Sequence, residues 1–172
     1  MEALERVSVE TFKEAPKTPI VVVLDNIRSL HNVGAVFRTA DAFSIQQIVL
    51  CGITATPPHK ELRKTALGAT ESVSWEYVNT TTEAIERLKR EGYVIVAAEQ
   101  TEQSTFLQSY LPDLHKKYAL VFGHEVNGVD QAVLDCCDAV VEIKQSGTKH
   151  SLNVSVSAGI VLWHFYRALG PQ

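Results

Sequence analysis

The chain has 172 residues, of which 45% are hydrophobic and 21% are charged, and its formal net charge is −4. This length predicts one domain with a substantial core, and the composition is ordinary for a globular protein. The negative charge disfavours a protein that binds nucleic acid through bulk positive charge, because such proteins are usually basic.

Neither a membrane span nor a cysteine framework is predicted. The longest apolar run lies between Asn153 and His164, so it is shorter than the roughly 18 residues that a span needs. The first 17 residues mix acids and bases without an apolar stretch, so we expect no secretory signal, no membrane partner and a cytoplasmic location. Cys51, Cys136 and Cys137 fit neither a disulfide framework nor a zinc site, so we expect reduced thiols and no metal.

The chain alternates apolar runs typical of buried strands with helical patterns. Residues 1–18 lack a clear apolar face and predict an N-terminal extension with at most one short helix, ahead of a single domain over residues 19–172. In chain order, the first half predicts a strand over residues 19–24, a helix over 34–43 with Asn32 as its N-cap, a strand over 47–51, a short helix over 60–67 and a strand over 73–78. The second half predicts a helix over 82–90, strands over 93–98 and 118–122, a helix over 129–136, a strand over 139–143 and a final helix over 151–169.

This order of elements predicts an α/β fold with a mainly parallel sheet and helices on both faces. Continuous Val/Ile runs are typical of strands that are buried on both sides, and the intervening helices are long enough to serve as crossovers. Ligands bind such sheets at the carboxyl ends of the strands. Three unusual loops follow predicted strands: the first loop (residues 25–32), the second loop (residues 123–128) and the third loop (residues 144–151). We therefore predict that the functional site lies where these loops meet.

Single residues of the loops also have ordinary structural interpretations. Asn32 and Ser151 are typical helix caps, and Asn153 needs hydrogen-bond partners if it is buried. Arg38 lies off the apolar stripe of its predicted helix, so it either pairs with Asp41 or faces a site or another subunit.

The two glycines of the second loop, Gly123 and Gly128, are either turn residues or places where backbone approaches a ligand. The sequence around them matches neither a phosphate-binding loop nor a dinucleotide-binding fingerprint. Two basic groups either contact phosphate or lie on a solvated surface. They are Lys60, Arg63 and Lys64, and Lys144, Lys149 and His150.

Together and in this order, three motifs resemble the SpoU (TrmH-like) branch of the SPOUT RNA methyltransferases. They are Asn-x-Gly-x-x-x-Arg-Thr-Ala at residues 32–40, Gly-x-Glu-x-x-Gly at 123–128 and Ser-Leu-Asn-Val-Ser-Val at 151–156. The resemblance covers residues 18–169. It implies methyl transfer from S-adenosylmethionine to a ribose 2′-hydroxyl of RNA, a homodimer with an active site shared across the subunits, and a C-terminal trefoil knot that holds the cofactor. No separate RNA-binding domain is visible, which favours a small target, so we expect tRNA over rRNA.

The resemblance also implies roles for individual residues, and no metal. The catalytic residues are Arg38, Asn32, Ser151 and Asn153. The cofactor is expected to contact, largely through backbone, Ala98, Glu99, Gln100, Val121, Phe122, Gly123, Ile143, Gln145 and Leu152. We expect the RNA to contact Arg28, Glu125 and Lys149, although Glu125 could instead brace the second loop or be a plain surface acid.

One departure from the family pattern lies at the start of the third motif. The family commonly has Ile-Pro-Met where this chain has Ile143-Lys144-Gln145, which removes an apolar contact on the adenine side of the cofactor and adds a cation. This departure favours an alternative, a catalytically inactive SPOUT-like RNA-binding module. The intact Asn32 and Arg38 favour the enzyme. A hydrolase is disfavoured because no Gly-x-Ser-x-Gly sequence is present.

Overall fold

A computed structural model describes residues 7–149 and 151–171 of the chain, and within them seven strands form one sheet. The strands are β1 (Thr18–Asp25), β2 (Ile45–Cys51), β3 (Trp75–Val78), β4 (Tyr93–Ala98), β5 (Thr105–Phe106), β6 (Lys117–Phe122) and β7 (Ala139–Glu142). Their order across the sheet is β3-β2-β1-β6-β4-β7-β5, and every neighbouring pair is parallel.

Helices cover both faces of the sheet because alternate strand residues point to opposite sides. The helices are α1 (Val9–Glu14), α2 (Leu30–Ala42), α3 (Lys60–Ala66), α4 (Ala69–Ser72), α5 (Thr81–Arg90), α6 (Gln131–Leu134) and α7 (Val154–Leu169). Val22 and Leu24 of β1 belong to the core under α2, α3, α4 and α7, whereas Val21 and Val23 belong to the core under α5 and α6. The predicted α/β architecture, with a parallel sheet covered on both faces, is therefore confirmed.

Two predicted helix starts are wrong, and the same cause explains both. Helix α2 begins at Leu30, because the Ser29 side chain accepts the backbone N–H of Asn32 and is the N-cap. Helix α7 begins at Val154, because Asn153 is its N-cap and accepts the N–H groups of Ser155 and Val156. Neither Asn32 nor Ser151 is a cap, so the Asn32 side chain is available for contacts between loops.

Several short elements escaped prediction because they lack a periodic pattern. Strand β5 has two exposed residues, and its position depends on pairing with β7. A 3₁₀ turn over Leu107–Ser109 and helix α4 are also short, and α6 is shorter than the predicted helix over residues 129–136. Helix α1 has no buried residue, and the division into an extension and one domain stays a prediction. Residues 1–6 of that extension lie outside the described residues.

Helices α2 and α3 approach each other more closely than ordinary side chains would allow. A Cβ atom built on Gly34 of α2 would lie 2.0 Å from Thr65 Oγ1 and 2.6 Å from the carbonyl oxygen of Leu62. Only glycine therefore permits this contact, which fixes α3 beside the helix that carries Arg38. Among the helices of residues 7–149 and 151–171, none has the length and hydropathy of a membrane-spanning segment.

Candidate functional site

The three loops meet at the carboxyl edge of the sheet, as the parallel topology predicts. Leu24 of β1 pairs with Phe122 of β6, Phe122 pairs with Ala98 of β4, and Ala98 pairs with Val141 of β7. These four strands therefore end at nearly the same level. The loops that follow β1, β6 and β7 begin side by side, and their side chains are within reach of one another.

Glu125 of the second loop joins that loop to the first one. Its carboxylate accepts the backbone N–H groups of Arg28 at 3.0 Å and Ser29 at 2.9 Å, and the side-chain amide of Asn32 at 3.0 Å. Burial by itself raises the pKa of Glu125, but the three donors outweigh burial and hold that pKa below its ordinary value. Glu125 is thus an ionised brace between loops, and the interpretation as a plain surface acid is wrong.

Asn32 continues the connection to the third motif. Its side-chain oxygen accepts the amide N–H of Asn153 at 3.1 Å. The Asn153 oxygen in turn accepts the Ser155 N–H at 2.9 Å and the Ser155 hydroxyl at 2.6 Å. A continuous chain of hydrogen bonds therefore runs from Glu125 through Asn32 to the first turn of α7. It joins residues that are 93 and 121 positions apart in sequence.

Arg38 lies on the solvent face of α2, two turns along the helix from its first residue. Its side chain is exposed and forms no ion pair with any described residue. Asp41, the alternative partner, instead accepts a hydrogen bond from Ser72 of α4. The guanidinium is therefore available to a ligand or to another molecule rather than committed to the fold of its own chain.

The predicted cofactor-binding residues lie together at the ends of β4, β6 and β7. Ala98 and Phe122 are paired across neighbouring strands, and the Glu99 N–H donates to the carbonyl of Val141 at 3.0 Å. Gly123 directly follows β6, and Gln100 is the second residue after β4. The residues expected to hold the cofactor by backbone contacts thus form one continuous edge, with Ile143 and Gln145 next to it.

The second loop is held in a tight conformation from two sides. The backbone groups of His124 and Gly128 bond to each other at 3.0 and 2.8 Å, and a Cβ on Gly123 would lie 2.3 Å from the carbonyl carbon of Gly128. Gly128 has φ +70°, and a Cβ there would lie 2.3 Å from Glu99 Oε2, which also accepts the Val129 N–H at 2.9 Å. Both glycines are therefore required, and the Glu99 side chain supports the loop rather than pointing freely into it.

The third loop presents backbone groups that have no partner in the described part of the chain. No hydrogen bond among the described residues involves the backbone of residues 144–149, 151 or 152. Lys149, Ser151 and Leu152 are all exposed, and the Lys144 ammonium lies 5.8 Å from the ring centroid of Phe106. Unpaired N–H and C=O groups beside the edge of β7 suit a ligand that is held by backbone. His150, part of the second basic group, lies outside the described residues.

An open cleft of about 500 Å³ borders the second loop on another side. Its lining includes Asp25, Asn26, His124 and Asp130, but it contains none of the predicted cofactor-binding residues. The prediction for the cofactor site therefore depends on the shared edge of β4, β6 and β7 and on the unpaired third loop, not on this cleft.

Sequence reasoning missed residues that act only through distant contacts. Buried Thr54 donates to the carbonyl of Leu24 at 3.1 Å and accepts the Ile27 N–H at 3.0 Å, which fixes the start of the first loop. The role of the Glu99 side chain is of the same kind. No local sequence pattern predicts either contact, because Thr54 is 27 positions from Ile27 and Glu99 is 30 positions from Val129.

The described cysteines are free thiols. Cys51 ends β2 beside the first loop, where its carbonyl accepts the Asn26 N–H at 3.3 Å. Burial raises the pKa of Cys51 to about 12 and that of Cys137 to about 12, so both remain protonated near neutral pH. Protonated thiols are poor nucleophiles, which argues against covalent catalysis by either residue. Among the residues that the structure describes, no three His, Cys, Asp or Glu side chains are grouped so that they could hold a metal ion. That the reaction needs no metal stays a prediction.

Comparisons with protein families and with curated sequences both find RNA methyltransferases. Residues 19–163 match the SpoU rRNA Methylase family. A 23S rRNA (guanosine-2′-O-)-methyltransferase, RlmB, from Neisseria meningitidis is 32% identical over 153 residues, which make up 89% of this chain and 60% of that protein. The chain therefore spans less than two thirds of this relative's length.

Solved structures of RNA-modifying enzymes have a fold similar to that of this chain. The TrmH/SpoU tRNA modifying enzyme of A. aeolicus aligns with a TM-score of 0.81 at 26% identity, over 93% of this chain and 81% of the other. An rRNA methyltransferase from Sinorhizobium meliloti with AdoMet bound aligns with a TM-score of 0.81 at 27% identity, over 93% of this chain and 61% of the other. The fold of this chain is thus similar to that of both enzymes.

Proposed function

The chain belongs to the SpoU rRNA methylase family, and on that premise we propose that it transfers a methyl group from S-adenosylmethionine to a ribose 2′-hydroxyl of RNA. The observation that carries the proposal is the chain of hydrogen bonds from Glu125 through Asn32 to Asn153. It brings the three motifs to one edge of the sheet and leaves Arg38 exposed on the helix that Asn32 anchors.

S-adenosylmethionine, when bound, supplies a methyl group on a sulfonium that is already a good leaving group. Ala98, Glu99, Gln100, Val121, Phe122, Gly123, Ile143, Gln145 and Leu152 would hold it, largely through backbone. The backbone of residues 144–149, which has no hydrogen-bond partner among the described residues, supports this assignment. The AdoMet bound to the Sinorhizobium meliloti enzyme supports the choice of cofactor. The protein's remaining task is to position and activate the 2′-hydroxyl.

Arg38 is proposed as the central catalytic residue. A guanidinium has a pKa above about 12 and is not deprotonated in proteins, so Arg38 cannot take the proton of the hydroxyl. It can bind a phosphate group of the RNA with two parallel N–H donors and stabilise the negative charge that develops on the 2′-oxygen. The absence of any ion pair to Arg38 among the described residues supports this role.

Asn32 and Asn153 would act by fixing the loops around the reacting ribose. Asn32 donates to Glu125 and accepts from Asn153, so both ends of its amide are committed to neighbouring loops. Ser151 is exposed, does not cap α7 and has no partner among the described residues, so its hydroxyl is available to the ribose or the cofactor. Arg28 and Lys149 are exposed close to the same edge and are proposed to contact RNA.

A homodimer with a shared active site is part of the proposal. Val156, Ile160 and Trp163 are 51%, 39% and 50% exposed, and their spacing puts them on one side of α7. We name these three residues the α7 outer face. An exposed apolar face suits the surface of a second subunit, which would receive Arg38.

The trefoil knot is likewise proposed. The segment between β4 and β6 crosses α7: the Tyr110 carbonyl lies 2.7 Å from His164 Nε2, and Tyr110 packs on Phe165. Helix α7 also contacts β1 and β4 of the sheet. Such an arrangement is compatible with a C-terminal segment threaded through a loop, which ordinary folds avoid.

The choice of RNA is left at the level of its class. The relatives carry the names of both a 23S rRNA enzyme and a tRNA modifying enzyme, so the expected preference for tRNA is not supported. The decisive experiment has two parts. Calorimetry measures the binding of S-adenosylmethionine. Incubation of the protein with labelled S-adenosylmethionine and total tRNA or rRNA measures methylation and is followed by mapping of the modified ribose. Cofactor binding with 2′-O-methylation is the expected result. RNA binding without cofactor binding would instead support the inactive RNA-binding module.

A further inference from the structure

A basic groove lies on α3, outside the three loops of the proposed active site. It has a volume of about 450 Å³ and is lined by Pro58, His59, Lys60, Arg63 and Lys64, all of which are exposed. We name it the α3 groove. We propose that the α3 groove binds backbone phosphates of the RNA substrate beside the reacting nucleotide, a proposal that rests on the proposed function.

The local charge of this surface opposes that of the whole chain. Residues 26–43 and 58–72 contain five Arg or Lys residues and three Asp or Glu residues, whereas the chain as a whole has a net charge of −4. One of these acids, Asp41, is engaged with Ser72. These two segments therefore carry a formal net charge of +2, which would attract a polyanion to Arg38 and the α3 groove.

The cations of the α3 groove are spaced for more than one phosphate. Lys60, Arg63 and Lys64 stand at positions i, i+3 and i+4 of one helix, so they share a face, and neighbouring Cβ atoms on such a face are about 5–6 Å apart. A row of cations suits a chain of phosphates better than a single small anion. The lining includes no Phe, Tyr or Trp side chain on which a base could stack, and its cations outnumber its single imidazole, which favours contacts to the backbone over contacts to bases.

These side chains can exchange their present contacts for phosphate at low cost. Lys60 forms no ion pair with any described residue. Lys64 pairs with Glu61 at 2.9 Å and Arg63 with Glu71 at 3.8 Å, but both basic side chains are more than half exposed. Exposed ion pairs contribute little to stability, so RNA phosphates compete with them readily.

His59 adds a donor of defined orientation. Its Nδ1 accepts the Glu61 N–H at 3.3 Å and caps α3. A neutral ring whose Nδ1 accepts must carry its proton on Nε2, so the outer nitrogen of the ring is an N–H donor at the groove.

The α3 groove is fixed relative to the reacting residues. The Gly34 backbone of α2 lies against the Thr65 side chain and the Leu62 carbonyl of α3, with no room for a Cβ atom. Asn32 and Arg38 belong to the same α2 helix. RNA held at the α3 groove would therefore be bound on the same rigid pair of helices that carries Arg38.

The test compares two triple variants. Lys60→Ala/Arg63→Ala/Lys64→Ala removes the groove cations, and Lys89→Ala/Arg90→Ala/Lys116→Ala removes three exposed cations from α5 and from the loop before β6. RNA affinity is measured by fluorescence anisotropy without cofactor at several salt concentrations, and methylation at saturating and limiting RNA. The groove variant should bind RNA about tenfold more weakly, and the slope of log K against log salt should fall by about 2, at about 0.7 per lost contact.

Turnover at saturating RNA and the Kd for S-adenosylmethionine should stay within about twofold of wild type, while KM for RNA rises in proportion to the lost affinity. Lys60→Arg/Lys64→Arg should retain wild-type affinity. An unchanged salt slope, or an equal loss in the control variant, would overturn the inference. The two proposals fail separately. If methylation occurs but does not depend on the α3 groove, the groove proposal is wrong and the proposed function stands. If RNA binding depends on the groove but no methylation occurs, the proposed function is wrong and the groove proposal stands.

Discussion

At the residue scale, the site depends on side chains whose polar atoms are fully committed to one another. Glu125, Asn32 and Asn153 each satisfy a neighbour in another loop, and no two of them are close in sequence. A buried or half-buried donor that loses its acceptor costs about 1–3 kcal/mol, so each member of the chain of hydrogen bonds constrains the others. Arg38 is the opposite case, since its exposed side chain is not used by the fold.

Glu125→Gln tests the brace between the first and second loops. The variant replaces one acceptor oxygen by an amide that faces N–H donors, so at pH 7 the free energy of unfolding should fall by about 1–3 kcal/mol. The pKa of Glu125 is lower in the folded protein, so its stabilising effect is present above the unfolded pKa of about 4.3 and is lost as the pH falls through the folded pKa. Urea unfolding at pH 7 and below pH 4 measures the difference.

The two proteins should therefore converge in acid. Glu102→Gln, at an exposed loop position, is the matched control and should be neutral at both pH values. A gap between wild type and Glu125→Gln that persists at low pH would show that shape, and not charge, is the important property.

Arg38→Ala tests the proposed catalytic residue. Methyl transfer should fall by a factor of about 10²–10³, because a charged donor to the developing oxyanion is removed. The Kd for S-adenosylmethionine, measured by calorimetry, should stay close to wild type because Arg38 contacts none of the predicted cofactor residues. Arg38→Lys should recover only part of the rate, since an ammonium lacks the two parallel donors of a guanidinium. Wild-type turnover in Arg38→Ala would contradict the assignment of Arg38 as the central catalytic residue.

At the scale of elements, the spacing between α2 and α3 decides whether the loops and the basic surface keep their relative positions. That spacing depends on Gly34, which touches Thr65 and the carbonyl of Leu62. The second loop shows the same dependence, because Gly123 and Gly128 bring two backbone segments together. Close approach of elements, rather than any single bond, therefore sets the geometry around the site.

Gly34→Ala should cost about 1–3 kcal/mol of unfolding free energy, because the added methyl overlaps Thr65 Oγ1 and the Leu62 carbonyl. Adding Thr65→Ala should recover part of this loss, since one of the two clashes disappears. Gly159→Ala is the matched control in another helix, where the methyl meets no atom within 4 Å, and should be neutral or stabilising by up to about 1 kcal/mol. Denaturant unfolding of the four proteins measures these effects, and equal losses at both glycines would contradict the explanation.

At the scale of the whole molecule, the proposed shared active site requires a second subunit, and this requirement can be tested. Ile160→Glu puts a charge at the centre of the α7 outer face and should convert a dimer to a monomer of half the mass, as measured by light scattering. Circular dichroism should show a folded monomer, because this face makes few contacts within its own chain. Methylation should be lost along with the dimer. A dimer that survives the substitution would place the interface elsewhere.

Mixed dimers test whether Arg38 acts across the subunits. A subunit with Arg38→Ala keeps its own cofactor loops, and a subunit with Asn153→Ala keeps its Arg38. Random pairing of equal amounts gives one intact site in each heterodimer, so about a quarter of wild-type activity should return if the two-fold dimer shares its sites. Activity no greater than that of the separate variants would argue that each subunit acts alone.

The sequence alone determined the α/β class, six of the seven described strands of the parallel sheet and the identity of the three motifs. Buried strands and amphipathic helices leave periodic patterns, and strand order along the chain places their carboxyl ends at one edge. Sequence could not predict that Ser29 and Asn153 are the helix caps, because several neighbouring polar residues compete for that role and only the folded backbone selects one.

Only the tertiary structure decided which polar groups meet. Glu125 was assigned to RNA, to bracing or to the surface with equal sequence support, and the fold placed it against Asn32, 93 positions away. The Glu99 and Thr54 contacts depend on the same kind of long-range approach. Periodicity reports on which face of an element is buried, but it carries no information about what lies opposite. The partner of a polar side chain is therefore fixed by packing, and packing belongs to the whole chain.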